Sequence, residues 1–129
     1  MHIDREILTL TVNASGAATV YSGRVTGRVL QLRYVPDATD PLDTGADLTI
    51  TGEDTGVAIA TITNIGTAAL TWVIRQSTYP VANTAQGTAA LYAATFPVLE
   101  PVYLAGERIK CVVANGGVSM TGQLHIFIG

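Results

Sequence analysis

The sequence predicts an all-β chain: a single-domain, jelly-roll-like β-sandwich with two long surface loops and about eight or nine antiparallel strands. Three observations carry this expectation. Short runs alternate aliphatic residues with threonine, as in Ile7-Leu8-Thr9-Leu10-Thr11-Val12 and Leu48-Thr49-Ile50-Thr51, a period-2 pattern that sends apolar groups one way and hydroxyls the other. Threonine suits the outer face because its branched Cβ favours extended backbone while its hydroxyl meets water. Gly, Asn and Asp cut the runs at short intervals, and sustained helical periodicity is missing. A chain of 129 residues is one domain by ordinary priors and buries roughly two-thirds of its unfolded surface, so residues 1–129 are read as one unit.

The elements follow in order. Glu6 to Val12 alternates cleanly and stops at Asn13-Ala14-Ser15-Gly16. Ala17 to Tyr21 and Val25 to Val35 read as two strands separated by a turn at Ser22-Gly23. Pro36 to Ala46 holds two prolines and three aspartates; proline has no N–H for a ladder, so this segment is expected to run over the surface. Asp47 to Thr51 and Val57 to Thr63 flank the turn Gly52 to Gly56, and Asn64-Ile65-Gly66 ends the second. Leu70 to Arg75 places Trp72 on the parity of Leu70 and Ile74, the position of a core anchor. The connection Gln76 to Pro97 is rich in Ala and Thr, and Thr88 is placed to cap a helical turn reaching Ala94. Val98 to Leu104, Glu107 to Ala114 and Gly122 to Ile128 complete the set, with turns at Ala105-Gly106 and Asn115-Gly116-Gly117.

Composition narrows the function. Charged residues make up 13% of the chain and hydrophobic ones 48%, a low charge density for a soluble monomer, so part of the apolar surface is expected to meet a partner. Net charge is −3 with seven basic residues, which gives no electrostatic footprint for nucleic acid. No apolar run approaches the roughly 20 residues of a bilayer span, and Met1 to Glu6 lacks the order of a signal peptide. The expected place of synthesis is therefore the cytosol, with no membrane partner.

Chemistry is sparse. Cys111 lies in an apolar run and is expected to be a buried thiol, with Arg108 and Lys110 on the opposite face. His2 and His125 have no second ligand at zinc spacing, and no Gly-x-Ser-x-Gly elbow is present. Neither catalysis nor a cofactor is expected. Asp37, Asp40, Asp43 and Asp47 form the one acidic series; it could offer oxygens to calcium, but the spacing misses the EF-hand template and turn formation is the simpler account.

Partner contact is expected in two places. Arg24 and Arg28 share parity unless Gly27 marks a bulge, and Arg33 would point the other way. A solvated strand face explains them, as does pairing with the Asp loop of a neighbouring copy through Asp40. In the long connection, Tyr79, Pro80, Leu91, Tyr92 and Phe96 offer apolar area suited to a protein interface or a sugar-stacking shelf.

The run Tyr21-Ser22-Gly23-Arg24-Val25-Thr26-Gly27-Arg28-Val29-Leu30-Gln31-Leu32-Arg33-Tyr34-Val35-Pro36, continuing into Asp43-Thr44-Gly45-Ala46-Asp47-Leu48-Thr49-Ile50, resembles the head decoration (cement) and minor virion structural proteins of tailed bacteriophages. Leu104-Ala105-Gly106-Glu107-Arg108-Ile109-Lys110 followed by Asn115-Gly116-Gly117 is similar too. The resemblance implies a β-sandwich that docks on the capsid exterior, clamps neighbouring major capsid subunits and associates with its own copies as a dimer or trimer. It implies no catalytic motif, and it places contacts at Met1 to Glu6, Pro36 to Ala46 and Gln76 to Pro97. A receptor- or glycan-binding β-module of a head spike or tail fibre is the alternative.

Overall fold

The computed structural model describes residues 2–77, 91–93 and 96–129, with the backbone alone at residue 92. The strands are β1 (Asp4–Thr11), β2 (Ala18–Pro36), β3 (Asp47–Gly52), β4 (Ala58–Ile62), β5 (Leu70–Val73), β6 (Gln76–Ser77), β7 (Leu91–Ala93), β8 (Phe96–Pro97), β9 (Leu99–Glu100), β10 (Val102–Ala114) and β11 (Thr121–Ile128). No helix occurs among the described residues. Seven strands form one antiparallel sheet in the order β1-β11-β2-β10-β3-β4, with β5 paired to β2, and β6-β9 and β7-β8 form two-stranded sheets. The main sheet does not close into a barrel.

Its organising strand is β2, 19 residues long. The first part of β2 pairs with β10, from Ala18↔Val113 to Val29↔Val102. Its second part pairs with β11, from Val29↔Ile128 to Pro36↔Gly122, and with β5 over Gln31 to Tyr34. Arg28 stands opposite Tyr103 of β10 while exchanging backbone hydrogen bonds with Gly129 just past β11, so β10 and β11 lie on opposite sides of β2. The sheet thus has two halves sharing β2: β1-β11-β2-β5 and β2-β10-β3-β4.

Apolar alternation from both halves feeds one core. Leu8 and Leu10 of β1, Leu32 and Tyr34 of β2, Leu48 and Ile50 of β3, Ile109, Cys111 and Val113 of β10, and Leu124 and Ile126 of β11 are all buried. Each aliphatic side chain sequestered this way contributes about 1.5–3 kcal/mol relative to leaving it in water. The core is tight at Gly122, whose missing Cβ would sit 2.7 Å from the Tyr34 ring.

Two expected turns are bulges instead. Ser22-Gly23 and Ala105-Gly106 interrupt no strand; each lies inside one, where the β2–β10 register shifts between Ala105 and Glu107 and again between Arg108 and Lys110. Gly106 has φ +66, a backbone value that suits a one-residue bulge as well as a reversal. At the second shift the Ile109 N–H has no backbone acceptor on β2; it donates to Ser22 Oγ at 2.9 Å, and that hydroxyl donates to the Gly23 carbonyl at 2.6 Å.

A further bulge at Leu30 follows from the shift between Phe127 and Ile128 on β11. The buried positions along β2 therefore run Ser22, Val25, Val29, Leu32 and Tyr34, changing parity twice. Arg24 and Arg28 share the outer face as expected, and Gly27 pairs in register with Leu104. Arg33 is corrected: the extra residue at Leu30 turns it outward as well.

Other expectations change too. The segment 37–46 is not wholly superficial, because Leu42 and Ala46 are fully buried, pinned by Asp43 N–H to the Gly116 carbonyl and by the Pro41↔Thr121 bridge. Trp72 faces the core from the β5 edge but is only partly buried, and Leu70 beside it is 40% exposed. The helical turn expected over Thr88 to Ala94 is contradicted where it is described, since Leu91–Ala93 is strand; its other residues lie outside the described set.

Candidate functional site

Because the inner positions of β1, β11, β2 and β5 are fixed by burial, their alternate positions form an outer face whose rows can be read from the register. One row is Arg5–Phe127–Gln31–Val73, the next is Ile7–His125–Arg33–Thr71, and a third begins Thr9–Gln123–Val35. The face is not the all-threonine surface that alternation suggests. Val73 is 66% exposed, Ile3 52% and Ile7 46%, and large apolar groups left in water on one face mark contact surfaces more often than chance.

At the Arg5 end a groove of about 310 Å³ lies beside the bulge at Leu30, lined by Ile3, Val73, Pro101 and Phe127 together with Arg28 and Arg75. Arg33 continues the basic strip, donating to the Thr71 hydroxyl at 2.7 Å. His125 sits between these cations. Its pKa is held below the ordinary histidine value, first by partial burial and then by the charges of Arg5 and Arg33, so at neutral pH it is an uncharged imidazole beside Gln123 Oε1 at 3.2 Å. At the far end of the face, Asp37 and Ala38 wall a second concavity with Thr9, Val35 and Gln123.

The outer face of the other half carries a second cluster. Arg108 of β10 makes a two-point ion pair with Glu53 and stacks its guanidinium 4.3 Å from the Tyr21 ring centre. That hydrogen bond is the main reason the Glu53 carboxyl lies below its ordinary range and Arg108 above its own. Arg24 donates to the Gly106 carbonyl at 2.6 Å and faces Asp54 at 3.5 Å. Beneath this cluster Glu107 is buried, its carboxylate accepting from the Thr55 hydroxyl and amide. Partners are found within the chain, so this cluster reads as a clamp between the β3–β4 turn and β10.

The residues singled out from the sequence are therefore distributed unevenly. Arg28 joins the groove, whereas Arg24 is committed to Gly106 and Asp54. Leu91 (48% exposed) and Phe96 (56% exposed) lie on the antiparallel pair β7 and β8. Tyr79 and Pro80 lie outside the described residues, as does the side chain of Tyr92.

The aspartates do what turn chemistry predicts. Asp37 Oδ2 accepts from the amides of Thr39 and Asp40 at 3.0 and 2.9 Å, bonds that lower its pKa. Asp47 accepts from the Asn64 amide and the Asn115 side chain. Among the described residues no three His, Cys, Asp or Glu side chains converge on a point where a metal ion would sit. Cys111 is fully buried, and burial pushes its thiol up to about 12.

Sequence reasoning missed Arg5 and Arg75 as members of the basic strip. They are 70 positions apart in the chain, and only the neighbours of β2 bring them to one face; strand parity shows which way a side chain points but not beside what. Neither a family model nor a curated protein matches this chain.

Proposed function

We propose that this chain is a structural virion protein that docks on the outer capsid surface and stabilises contacts between major capsid subunits. The observation that carries the reading is the outer face of β1-β11-β2-β5: an open strip of exposed aliphatic side chains and guanidiniums, built for contact. Polar side chains elsewhere are engaged within the chain, which supports it. His2 faces Asp4, Ser22 completes a backbone ladder, and Cys111 is held as a buried neutral thiol.

The resemblance of the β2 and β10 sequences to phage decoration proteins points the same way. In architecture, we read the two halves that share β2 as the layers of a jelly-roll-like sandwich. Many copies of a modest interface stabilise a lattice under internal pressure because each adds binding free energy to the assembled state alone.

The test is reconstitution. Shells from the source particle, stripped of this chain, are incubated with purified protein, then heated. Rebinding at lattice-wide copy number with a raised disruption temperature is expected. A chain that binds no form of the shell overturns the proposal, and a copy number of a few per particle moves it to a spike or fibre component.

A further inference from the structure

The chain segregates its charges in a way that its own fold cannot resolve. Arg5, Arg28, Arg33 and Arg75 have no carboxylate partner among the described residues, and Asp37, Asp40, Asp43 and Asp47 have no cationic one; the ion pairs there are His2–Asp4, Arg24–Asp54 and Arg108–Glu53. The side chains that are not described, at residues 1, 78–90, 92, 94 and 95, include no Asp, Glu, Lys, Arg or His.

The two sets also lie apart. Arg28 and Arg75 line the groove at one end of the outer face, while Asp37 walls the concavity at the other. Arg28 and Pro36 are eight positions apart along β2, and strand rise converts that to about 26 Å, well beyond side-chain reach.

We propose that the Arg28–Arg75 groove docks the 37–47 loop of a second copy of this chain, head to tail. The groove supplies what such a contact needs: an apolar lining of Ile3, Val73 and Phe127 to exclude water, and guanidiniums beside it, which match carboxylates through paired donors. Asp40 is the best-placed anion of the loop. It is exposed, its amide is spent on Asp37 and its carbonyl on Thr121, and its carboxylate faces no cation of its own chain. A head-to-tail contact leaves one copy with a free groove and the other with a free loop, so copies close into a ring or extend as a row, as the angle between them dictates. The surroundings of His125 agree: after partial burial, the charges of Arg5 and Arg33 are what lower its proton affinity, and they place positive charge on this face. The inference does not depend on the capsid reading.

Sedimentation of the purified chain tests it. Wild type is expected to associate with rising concentration and to dissociate with rising salt. Arg28→Glu/Arg75→Glu and Asp40→Arg are each expected to weaken association about tenfold or more, with unchanged melting curves. Mixing the two variants restores association, because each reversed groove meets a reversed loop. Arg75→Gln, which alters one exposed side chain, is expected to weaken association as well and serves if the double variant fails to fold. A chain that stays monomeric throughout, association insensitive to these changes, or variants that the mixture does not rescue would overturn the proposal.

Discussion

The Ser22 hydroxyl shows how much one side chain carries here. By accepting from the Ile109 amide it replaces a ladder bond that the bulge removed. Ser22→Ala leaves a buried N–H unpaired, which costs about 1–3 kcal/mol, and urea denaturation is expected to show a loss of that size. Ser22→Thr, which keeps the oxygen, should lose less. Cys111 makes a second residue-scale prediction. With its thiol pushed up to about 12 and fully buried, it should resist an aromatic disulfide reagent in the folded protein at pH 8 and react stoichiometrically once urea unfolds the chain. Rapid labelling of the native state would contradict the burial.

Between elements, the Glu53–Arg108 pair fastens the β3–β4 turn to β10. Glu53 has a lowered pKa in the folded state, so its contribution to stability is present above the ordinary Glu value of about 4.3 and is lost as pH falls through the lowered folded value. Asp37 follows the same rule through its two turn amides. Glu53→Gln is therefore expected to melt below wild type at neutral pH, with the gap closing below about pH 4; a gap that widens in acid would refute the assignment. Both groups are solvent-facing, so the effect should be small.

This scale also shows what was legible in the sequence. Alternation located β1, β3, β4 and β11 within a residue or two, because each buries one face; only β4 is interrupted, by an extra residue at Ile59 opposite β3. The joins inside β2 and β10 were not legible. Gly23 and Gly106 look like turn residues, and the same backbone freedom serves a bulge; which one forms depends on the strand opposite. Arg33 was misplaced for a related reason, since nothing in Val29-Leu30-Gln31 signals the extra residue that reverses parity. The basic strip, which joins β1, β2 and the end of β5, required the strand order.

At the scale of the molecule, β2 makes the two halves one cooperative unit. Leu48 sits in the β10-β3-β4 half and Leu124 in the β1-β11 half, both fully buried. Leu48→Ala and Leu124→Ala are each expected to cost about 2–5 kcal/mol and to lower the same single transition, with fluorescence and circular dichroism melting together. Two separated transitions in either variant would mean that the halves fold independently. The outer surface, by contrast, should tolerate substitution: Thr9→Ser or Gln123→Ala is expected to change stability by no more than about 0.5 kcal/mol.

The place of β11 has a consequence for how the molecule comes into being. It lies between β1 and β2, with Asp4 opposite Ile128, so β1 finds its hydrogen-bonding neighbour only when a strand far along the chain is available. Until then β1 and one flank of β2 carry open amides and a half-exposed row of leucines, and closure of the longest loop in the chain comes late. Completion of the sheet must therefore wait for β11, and the chain held in waiting is where a chaperone would have most to hold.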